Sequence, residues 1–177
     1  MKYMNKSIEE LHELLKEGKV TERKLIDESL ELSKKVEEEN NAFVTILDNI
    51  EEKEVTDNLL SGIPYGLKDN YSTKGILSTG SSNTLKDYVP FFNATAVEKL
   101  NNAGAVLINK TAMDEFGMGG TGTTCHTGVV TNPWENVCRI FIWICSSSSR
   151  RCLSICNRIR YRRFNKKTSS LLWYSRI

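Results

Sequence analysis

An abrupt change of composition near Val137 limits what this chain of 177 residues can form. Residues 1–136 contain 14 Lys and Arg and all 22 acidic residues, whereas residues 137–177 contain 10 Lys and Arg and no acid. All 11 glycines precede the boundary, and four of the five cysteines follow it. We therefore predict a globular portion over 1–136 and an aberrant basic tail over 137–177.

The composition as a whole indicates a folded protein. Hydrophobic residues make up 40% of the chain, which is typical of globular domains and too high for a disordered one. No apolar run approaches the roughly 20 residues that span a bilayer. The chain also begins with charged residues where a signal peptide carries its apolar core. These features predict a soluble cytoplasmic protein without a membrane partner.

The basic tail does not resemble a nucleic-acid arm. Its charges alternate with large apolar residues, and it lacks the glycine of flexible arms. Its cysteines form no CxxC pair of the kind that binds zinc; they stand at Cys138, Cys145, Cys152 and Cys156. We expect the tail to have no stable native structure, no metal site and no specific nucleic-acid function.

Two helices are predicted at the start of the chain. Ser7 and Glu10 have the spacing of a capping box, and Gly18 stands where a left-handed cap ends a helix. Thr21 is placed to begin a second helix, so the two segments should form a helical hairpin. His12 lies on the first helix and is expected to be a surface histidine.

The rest of the globular portion has a mixed α/β pattern. Apolar runs predict strands at 43–47, 62–67 and 105–108, and the spacing of Ala94, Val97 and Leu100 predicts a helix leading into the last strand. Residues 50–60 are expected to form a charged helix or loop. Four glycines within 116–122 indicate a loop, which lacks the Lys-Ser/Thr ending of a phosphate-binding loop.

Lys68 is the residue whose position most indicates catalysis. It follows an apolar strand and precedes Asp69 and Asn70. Most lysines are solvated surface groups, so a surface role is the simpler interpretation. A lysine drawn into a poorly solvated site has its charged form disfavoured and can accept a proton near neutral pH.

Other candidates have weaker patterns. Cys125 and His126 are neighbours on a loop and rarely point at one another, so loop packing is favoured over a thiol–imidazole pair. Asp114 and Glu115 diverge as sequence neighbours, which favours a capping or ion-pair role over paired carboxylate chemistry.

Several motifs, in this order and spacing, resemble the amidase signature family: Gly62–Asn70, Asn93–Val97, Lys110–Gly119 and Asn132–Trp134. Within it, Ser7–Leu15, Asn41–Phe43 and Met113–Phe116 are most similar to the A subunits of glutamyl-tRNA(Gln) amidotransferases. The resemblance covers about positions 5 to 136. It implies an α/β fold, the N-terminal part of the amidase signature fold, with a mixed sheet flanked by helices and preceded by the helical hairpin.

The resemblance also implies a site and partners. Lys68 takes the place of the lysine in a Ser–cis-Ser–Lys triad, Met118 and Gly119 line the substrate pocket, and the glycine loop supplies N–H groups to an oxyanion. In such complexes the A subunit releases ammonia from glutamine and works with B and C subunits on Glu-tRNA(Gln), with ATP used by the complex. No cofactor or metal is implied in this chain. The alternatives are a general amidase fragment acting on a small amide, or a non-enzymatic remnant that binds a partner.

The family's two serine motifs, which follow Asn132–Trp134, are missing from this reading frame. Codons chosen for Arg139–Ser149 and read one nucleotide later give Gly-Ser-Ser-Ser-Gly-Ser-Ala-Val-Ala-Val. The same offset converts Asn157–Phe164 into Ile-Gly-Ser-Asp-Thr-Gly-Gly-Ser, with the nucleophile codon straddling Phe164 and Asn165. We hypothesise a frameshift near Cys138–Arg139, which sequencing of the coding region tests, and we expect the present chain to be an inactive fragment.

Overall fold

A computed structural model describes residues 3–4, 6–52, 54–131 and 155–157, the last as backbone only. Two 3-10 turns, at Asn83–Leu85 and Glu115–Gly117, accompany the helices and strands. The described helices are α1 (Ile8–Lys16), α2 (Glu22–Asn40) and α3 (Thr95–Asn102), and the described strands are β1 (Phe43–Ile46), β2 (Pro64–Lys68), β3 (Val106–Thr111) and β4 (Ile155–Asn157).

Side-chain caps define the starts of α1 and α2. The Glu10 N–H donates to Ser7 Oγ over 3.2 Å, and the Ser7 N–H donates to Glu10 Oε2 over 2.8 Å, which completes the capping box. Gly18 has φ +67°, a left-handed conformation that glycine adopts without strain. Thr21 Oγ1 accepts from the Lys24 N–H at the start of α2. Both predicted helix starts are confirmed.

The strands form one mixed sheet in the order β1-β3-β2-β4. β1 is antiparallel to β3, whereas β2 is parallel to both β3 and β4. Helix α3 lies between β2 and β3 in the chain, as parallel neighbours require a crossover connection. The predicted α/β class with a mixed sheet is confirmed.

The sheet is buried between two apolar layers. One cluster joins α1 and α2 to the sheet through Leu11, Ile26 and Ile108. A second cluster joins α3 to the opposite face through Val97 and Leu67. All five residues of β2 are buried, as expected for a strand covered on both faces.

Two expectations need adjustment against the structure. His12 is not a surface residue: it is only 7% exposed because it lies on the α1 face that carries Leu11 and Leu15 into the core. The charged segment 50–60 forms turns and loop, without a helix among its described residues.

Several predictions fall outside the described residues. These are the motif Asn132–Trp134 and the tail 137–177 except Ile155–Asn157, so the proposed boundary at Val137 stays a prediction. The expectation of a tail without stable structure is wrong at Ile155–Asn157, which form β4 because their main chain pairs with β2. Within the described part of the chain, no helix has the length and apolarity to cross a membrane. The same part holds no group of three or more His, Cys, Asp or Glu placed to bind a metal ion.

Candidate active site

Lys68 is the last residue of strand β2, at the end of the sheet where β3 also terminates. The two strands are parallel, and Lys68 is paired in register with Thr111, the last residue of β3. The Asp69 N–H continues this pairing by donating to the Thr111 carbonyl over 3.2 Å. Lys68 is only 4% exposed. The structure therefore confirms the expected strand-end position, and the simpler interpretation of Lys68 as a solvated surface lysine is wrong.

Asp69 fixes the segment that follows Lys68. Its Oδ2 accepts a hydrogen bond of 2.6 Å from Thr79 Oγ1 and one of 3.0 Å from the Ser81 N–H. Burial raises the pKa of the Asp69 carboxyl, while these hydrogen bonds and the nearby charge of Lys110 oppose the rise. The two bonds close the loop from Asn70 to Ser82 against the end of β2.

Lys110 is a second buried lysine at this edge, and no role for it was expected from the sequence. Its ammonium donates to the Tyr71 carbonyl at 2.6 Å, to Thr73 Oγ1 at 3.1 Å and to Ser78 Oγ at 3.0 Å. These acceptors match the three protons of an ammonium group. Burial lowers the pKa of Lys110 to about 8, and the charge of Asp69 opposes that change. Lys110 thus ties β3 to the loop that leaves Lys68.

The sequence did contain a signal for Lys110. It follows an apolar run, as Lys68 follows its own strand, and a charged residue that extends a buried strand must find partners. In the register, Lys110 is paired with Leu67, the neighbour of Lys68. Because side chains alternate along a strand, Lys110 and Lys68 point to opposite faces of the sheet.

Asp114 organises the glycine loop. Its two carboxylate oxygens accept from the N–H groups of Thr121–Thr124 and from Thr124 Oγ1, over 2.9 to 3.3 Å. Burial alone would raise the pKa of Asp114, but these hydrogen bonds outweigh it and lower the pKa. Asp114 makes no side-chain cap of the adjacent 3-10 turn, so the capping alternative of the expected capping or ion-pair role is wrong for that turn.

This arrangement limits one expectation about catalysis. The N–H groups of Thr121 and Gly122, at the end of the glycine loop 116–122, donate to the Asp114 carboxylate, so these two are not available to an oxyanion. The oxyanion role of the loop's other N–H groups stays a prediction. Glu115 diverges from Asp114, as expected, and accepts from Ser82 Oγ over 2.6 Å.

Met118 and Gly119 lie on the same loop. Met118 is 79% exposed. Gly119 packs on Asp114 so closely that an added Cβ would lie 2.6 Å from Asp114 Cγ. The Phe116 N–H donates to the Gly80 carbonyl over 2.9 Å, which joins this loop to the one that follows Lys68. The loop is therefore placed beside the Lys68 strand end, and the substrate contacts of Met118 and Gly119 stay a prediction.

Cys125 and His126 contact different groups. Cys125 is buried, and its Sγ lies 3.1 Å from Thr127 Oγ1. The backbone N–H of His126 donates to the Ser81 carbonyl over 3.1 Å. Ser81 has φ +55°, a conformation uncommon for residues other than glycine, and its Oγ accepts from the Met113 N–H. These contacts match the loop-packing role favoured for His126.

Strand β4 gives the position of the tail relative to Lys68. It runs parallel to β2, and Asn157 is paired in register with Leu67. Under the frameshift hypothesis, Asn157 is also the residue at which the second serine motif would begin. In parallel strands the carboxyl ends meet at one edge of the sheet. Under that hypothesis, the motif would begin one residue from the register position of Lys68.

The comparisons with known proteins agree on one family. The family model described as Amidase matches residues 24–149. The chain is 44% identical over 145 residues to the A subunit of glutamyl-tRNA(Gln) amidotransferase from Streptococcus pneumoniae strain Hungary19A-6, and 43% identical to that from Streptococcus thermophilus. Each match covers 77% of this chain and 30% of the relative. The chain thus spans about a third of the length of the curated relatives it matches.

Solved structures give the same result. The A subunit of a glutamyl-tRNA(Gln) amidotransferase from Thermotoga maritima superposes with a TM-score of 0.68 at 32% identity, covering 77% of this chain and 29% of that one. A peptide amidase from Stenotrophomonas maltophilia superposes with a TM-score of 0.64 at 20% identity, covering 76% of this chain and 31% of that one. At that identity, the second likeness concerns the fold alone.

Proposed function

Because this chain belongs to the amidase family, we propose that it is the N-terminal part of an amide-hydrolysing enzyme and carries the lysine of its active site. The more specific proposal is the glutaminase A subunit of a glutamyl-tRNA(Gln) amidotransferase. Its relatives by sequence carry that name, and the helical hairpin of α1 and α2 was part of the resemblance to those subunits.

The observation that carries the proposal is the placement of Lys68 beside β4. Lys68 is a buried base candidate at a strand end, and β4 leads toward it in parallel. The shifted serine motif starts at Asn157, the β4 residue paired with Leu67. The nucleophilic serine of that motif would therefore lie at the same end of the sheet as Lys68. With the codons chosen above, this placement agrees with the frameshift hypothesis.

The β4 segment is compatible with a shifted frame. If the codons TGC CTT AGC ATT TGC AAT are chosen for Cys152–Asn157, the reading one nucleotide later is Ala-Leu-Ala-Phe-Ala-Ile. A continuous apolar run of this kind is typical of a strand buried on both faces. With these codons, the corrected frame would supply an apolar strand where the structure has β4.

In the corrected protein, catalysis would proceed by acyl transfer. Neutral Lys68 takes a proton from the cis-Ser, which takes one from the nucleophilic Ser as its oxygen attacks the amide carbon. The C–N bond breaks, the leaving nitrogen gains a proton, and water then hydrolyses the acyl-enzyme. Ammonia released from glutamine would pass to a B subunit that modifies Glu-tRNA(Gln), with a C subunit in the complex. The complex would use ATP, and we propose no ATP-binding residue in this chain.

The present chain should be inactive, because the two serine motifs that would supply the relay serine and the nucleophile are absent from this reading frame. Where triad members act as a unit, loss of the nucleophile costs on the order of a million-fold in turnover, about as much as loss of the whole triad. We therefore expect no measurable hydrolysis of glutamine or of simple amides by the 177-residue chain.

One experiment tests the proposed activity. A one-base correction restores the downstream frame, and the product is assayed for glutaminase and amidase activity, with and without B and C subunits. We expect turnover in the corrected protein, its loss in the corrected Lys68→Ala variant, and full retention in Lys86→Ala, which changes an exposed lysine. Turnover that persists in the corrected Lys68→Ala variant would show that this lysine is not part of the active site.

The same assay separates the second candidate function. A general amidase has the same fold, as the peptide amidase likeness indicates, and needs no partner. Hydrolysis of small amides that is unchanged by B and C subunits would favour that function. Co-purification of the present chain with both subunits, without activity, would instead favour a partner-binding remnant.

A further inference from the structure

The main chain turns sharply directly after Lys68. The Tyr71 N–H donates to the Lys68 carbonyl over 3.0 Å, so residues 68–71 form a β-turn at the end of β2. Inside this turn, the Asp69 N–H donates to the Thr111 carbonyl over 3.2 Å. The backbone of Lys68 is therefore held by the neighbouring strand β3 and by Tyr71, the last residue of its own turn.

The Tyr71 carbonyl is the centre of a polar network beneath this turn. It lies 2.6 Å from Lys110 Nζ, 3.1 Å from Thr73 Oγ1 and 3.2 Å from Ser78 Oγ. Lys110 also donates to both hydroxyl oxygens, over 3.1 Å to Thr73 and 3.0 Å to Ser78. All three side chains are buried. The network therefore fixes the end of the turn from the interior of the protein.

Lys110 supplies the charge of this network. Burial lowers the pKa of Lys110 to about 8, and the charge of Asp69 opposes that change, so the side chain is mainly an ammonium group at neutral pH. Hydrogen bonds from a charged donor are roughly twice as strong as neutral ones. Buried charges are nevertheless poor sources of net stability, because their desolvation is costly. A buried lysine whose ammonium group is fully bonded to one loop is thus better explained by what it holds in place.

We propose that Lys110 is a positioning residue for Lys68: through the Tyr71 carbonyl it fixes the turn 68–71, and with that turn the place of the Lys68 side chain. It acts from the opposite face of the sheet and needs no contact with a substrate. The catalytic importance of Lys68 rests on the proposed function. The dependence of Lys68 on Lys110 requires neither activity nor a corrected reading frame.

The test uses the 177-residue chain, isotope-labelled at its amides and lysine side chains. NMR at neutral pH follows two signals: hydrogen exchange of the Tyr71 amide, which reports the turn, and the Cε resonance of Lys68, which reports the surroundings of its ammonium group. The Lys68 resonance is assigned by its absence from Lys68→Arg.

Three variants separate the contributions. Lys110→Met removes the charged donor and keeps an unbranched side chain. Ser78→Ala removes one acceptor and keeps the Lys110 charge. Lys99→Met is the matched control, because it removes a positive charge from an exposed lysine on α3.

We expect Tyr71 amide exchange to accelerate about tenfold or more in Lys110→Met, the effect of losing one hydrogen bond from a charged group. The Lys68 Cε resonance should move toward the position of the solvated lysines. Ser78→Ala should cause the same two changes to a smaller extent, and Lys99→Met should cause neither. Both signals are independent of turnover, so they decide the role of Lys110 separately from the proposed activity.

Two results would overturn the proposal. An unchanged Lys68 resonance in Lys110→Met, even with faster Tyr71 exchange, would show that Lys110 holds the loop without positioning Lys68. A shifted resonance in Lys110→Met but not in Ser78→Ala would assign the effect to the lost charge alone. Should circular dichroism show that Lys110→Met does not fold, Ser78→Ala and Thr73→Val decide, and an unchanged Lys68 resonance in both would refute the positioning role.

Discussion

Replacement of Asp114 by Asn should release the glycine loop. The carboxylate accepts five hydrogen bonds from the segment Thr121–Thr124, and four of them come from backbone N–H groups. The amide of Asn keeps one oxygen and turns an N–H group toward these donors, so about half of the bonds are lost. Hydrogen bonds to charged groups contribute about 1.5–3 kcal/mol each and are not additive. We expect the loop to lose about 3 kcal/mol, equivalent to a roughly hundredfold increase in local opening.

Hydrogen exchange at the amides of 121–124 measures that opening directly. Glu115→Gln is the matched control. It neutralises the neighbouring carboxylate, which accepts one hydrogen bond, from Ser82 Oγ. The control should change exchange in the loop by less than tenfold. Equal exchange rates in Asp114→Asn and the unmodified chain would refute the inference that this carboxylate holds the loop.

Further expectations concern pH, packing and helix capping. The pKa of Asp114 is lowered from its ordinary value of 3.8. The carboxylate therefore contributes to stability above pH 3.8, and this contribution is lost as the pH falls through the lower folded-state pKa. Amide exchange in the glycine loop, corrected for intrinsic rates, should rise on acidification. The pKa of Lys110 is about 8 instead of 10.5, so the unfolded chain binds more protons between these values and stability should rise with pH across that window; urea midpoints should show a flatter rise in Lys110→Met. Gly119→Ala places a Cβ 2.6 Å from Asp114 Cγ, so limited proteolysis of the glycine loop should accelerate. In Gly75→Ala an added Cβ meets no atom within 4 Å and the strain comes from the local φ of +76°, so cleavage of the glycine loop should change less. Ser7→Ala removes one half of the capping box and should lower the urea unfolding free energy by about 1 kcal/mol.

Local sequence signals predicted the elements that depend on local physics. The capping box at Ser7, the left-handed Gly18 and the apolar run of β3 each specify their structure through neighbouring residues. The position of Lys68 at a strand end followed from the same type of signal.

Features that depend on distant contacts were not predictable in this way. Lys110 finds its acceptors in a loop more than 30 residues earlier, and the Asp114 loop closes through backbone groups that carry no sequence signature. His12 is an intermediate case: it stands four residues after Ile8 and one after Leu11, on the face that the hairpin buries. Its burial could have been inferred from helical spacing.

The nucleotide sequence across the codons for Cys138 and Arg139 tests the central claim most directly. The frameshift hypothesis predicts that a single-base change there opens a downstream frame containing both serine motifs, with the second beginning at the codon for Asn157. It also predicts that this frame continues past Ile177 into the remainder of an amidase domain, since the relatives are about three times as long as the matched part. A coding region in which no one-base change restores these motifs would contradict the hypothesis.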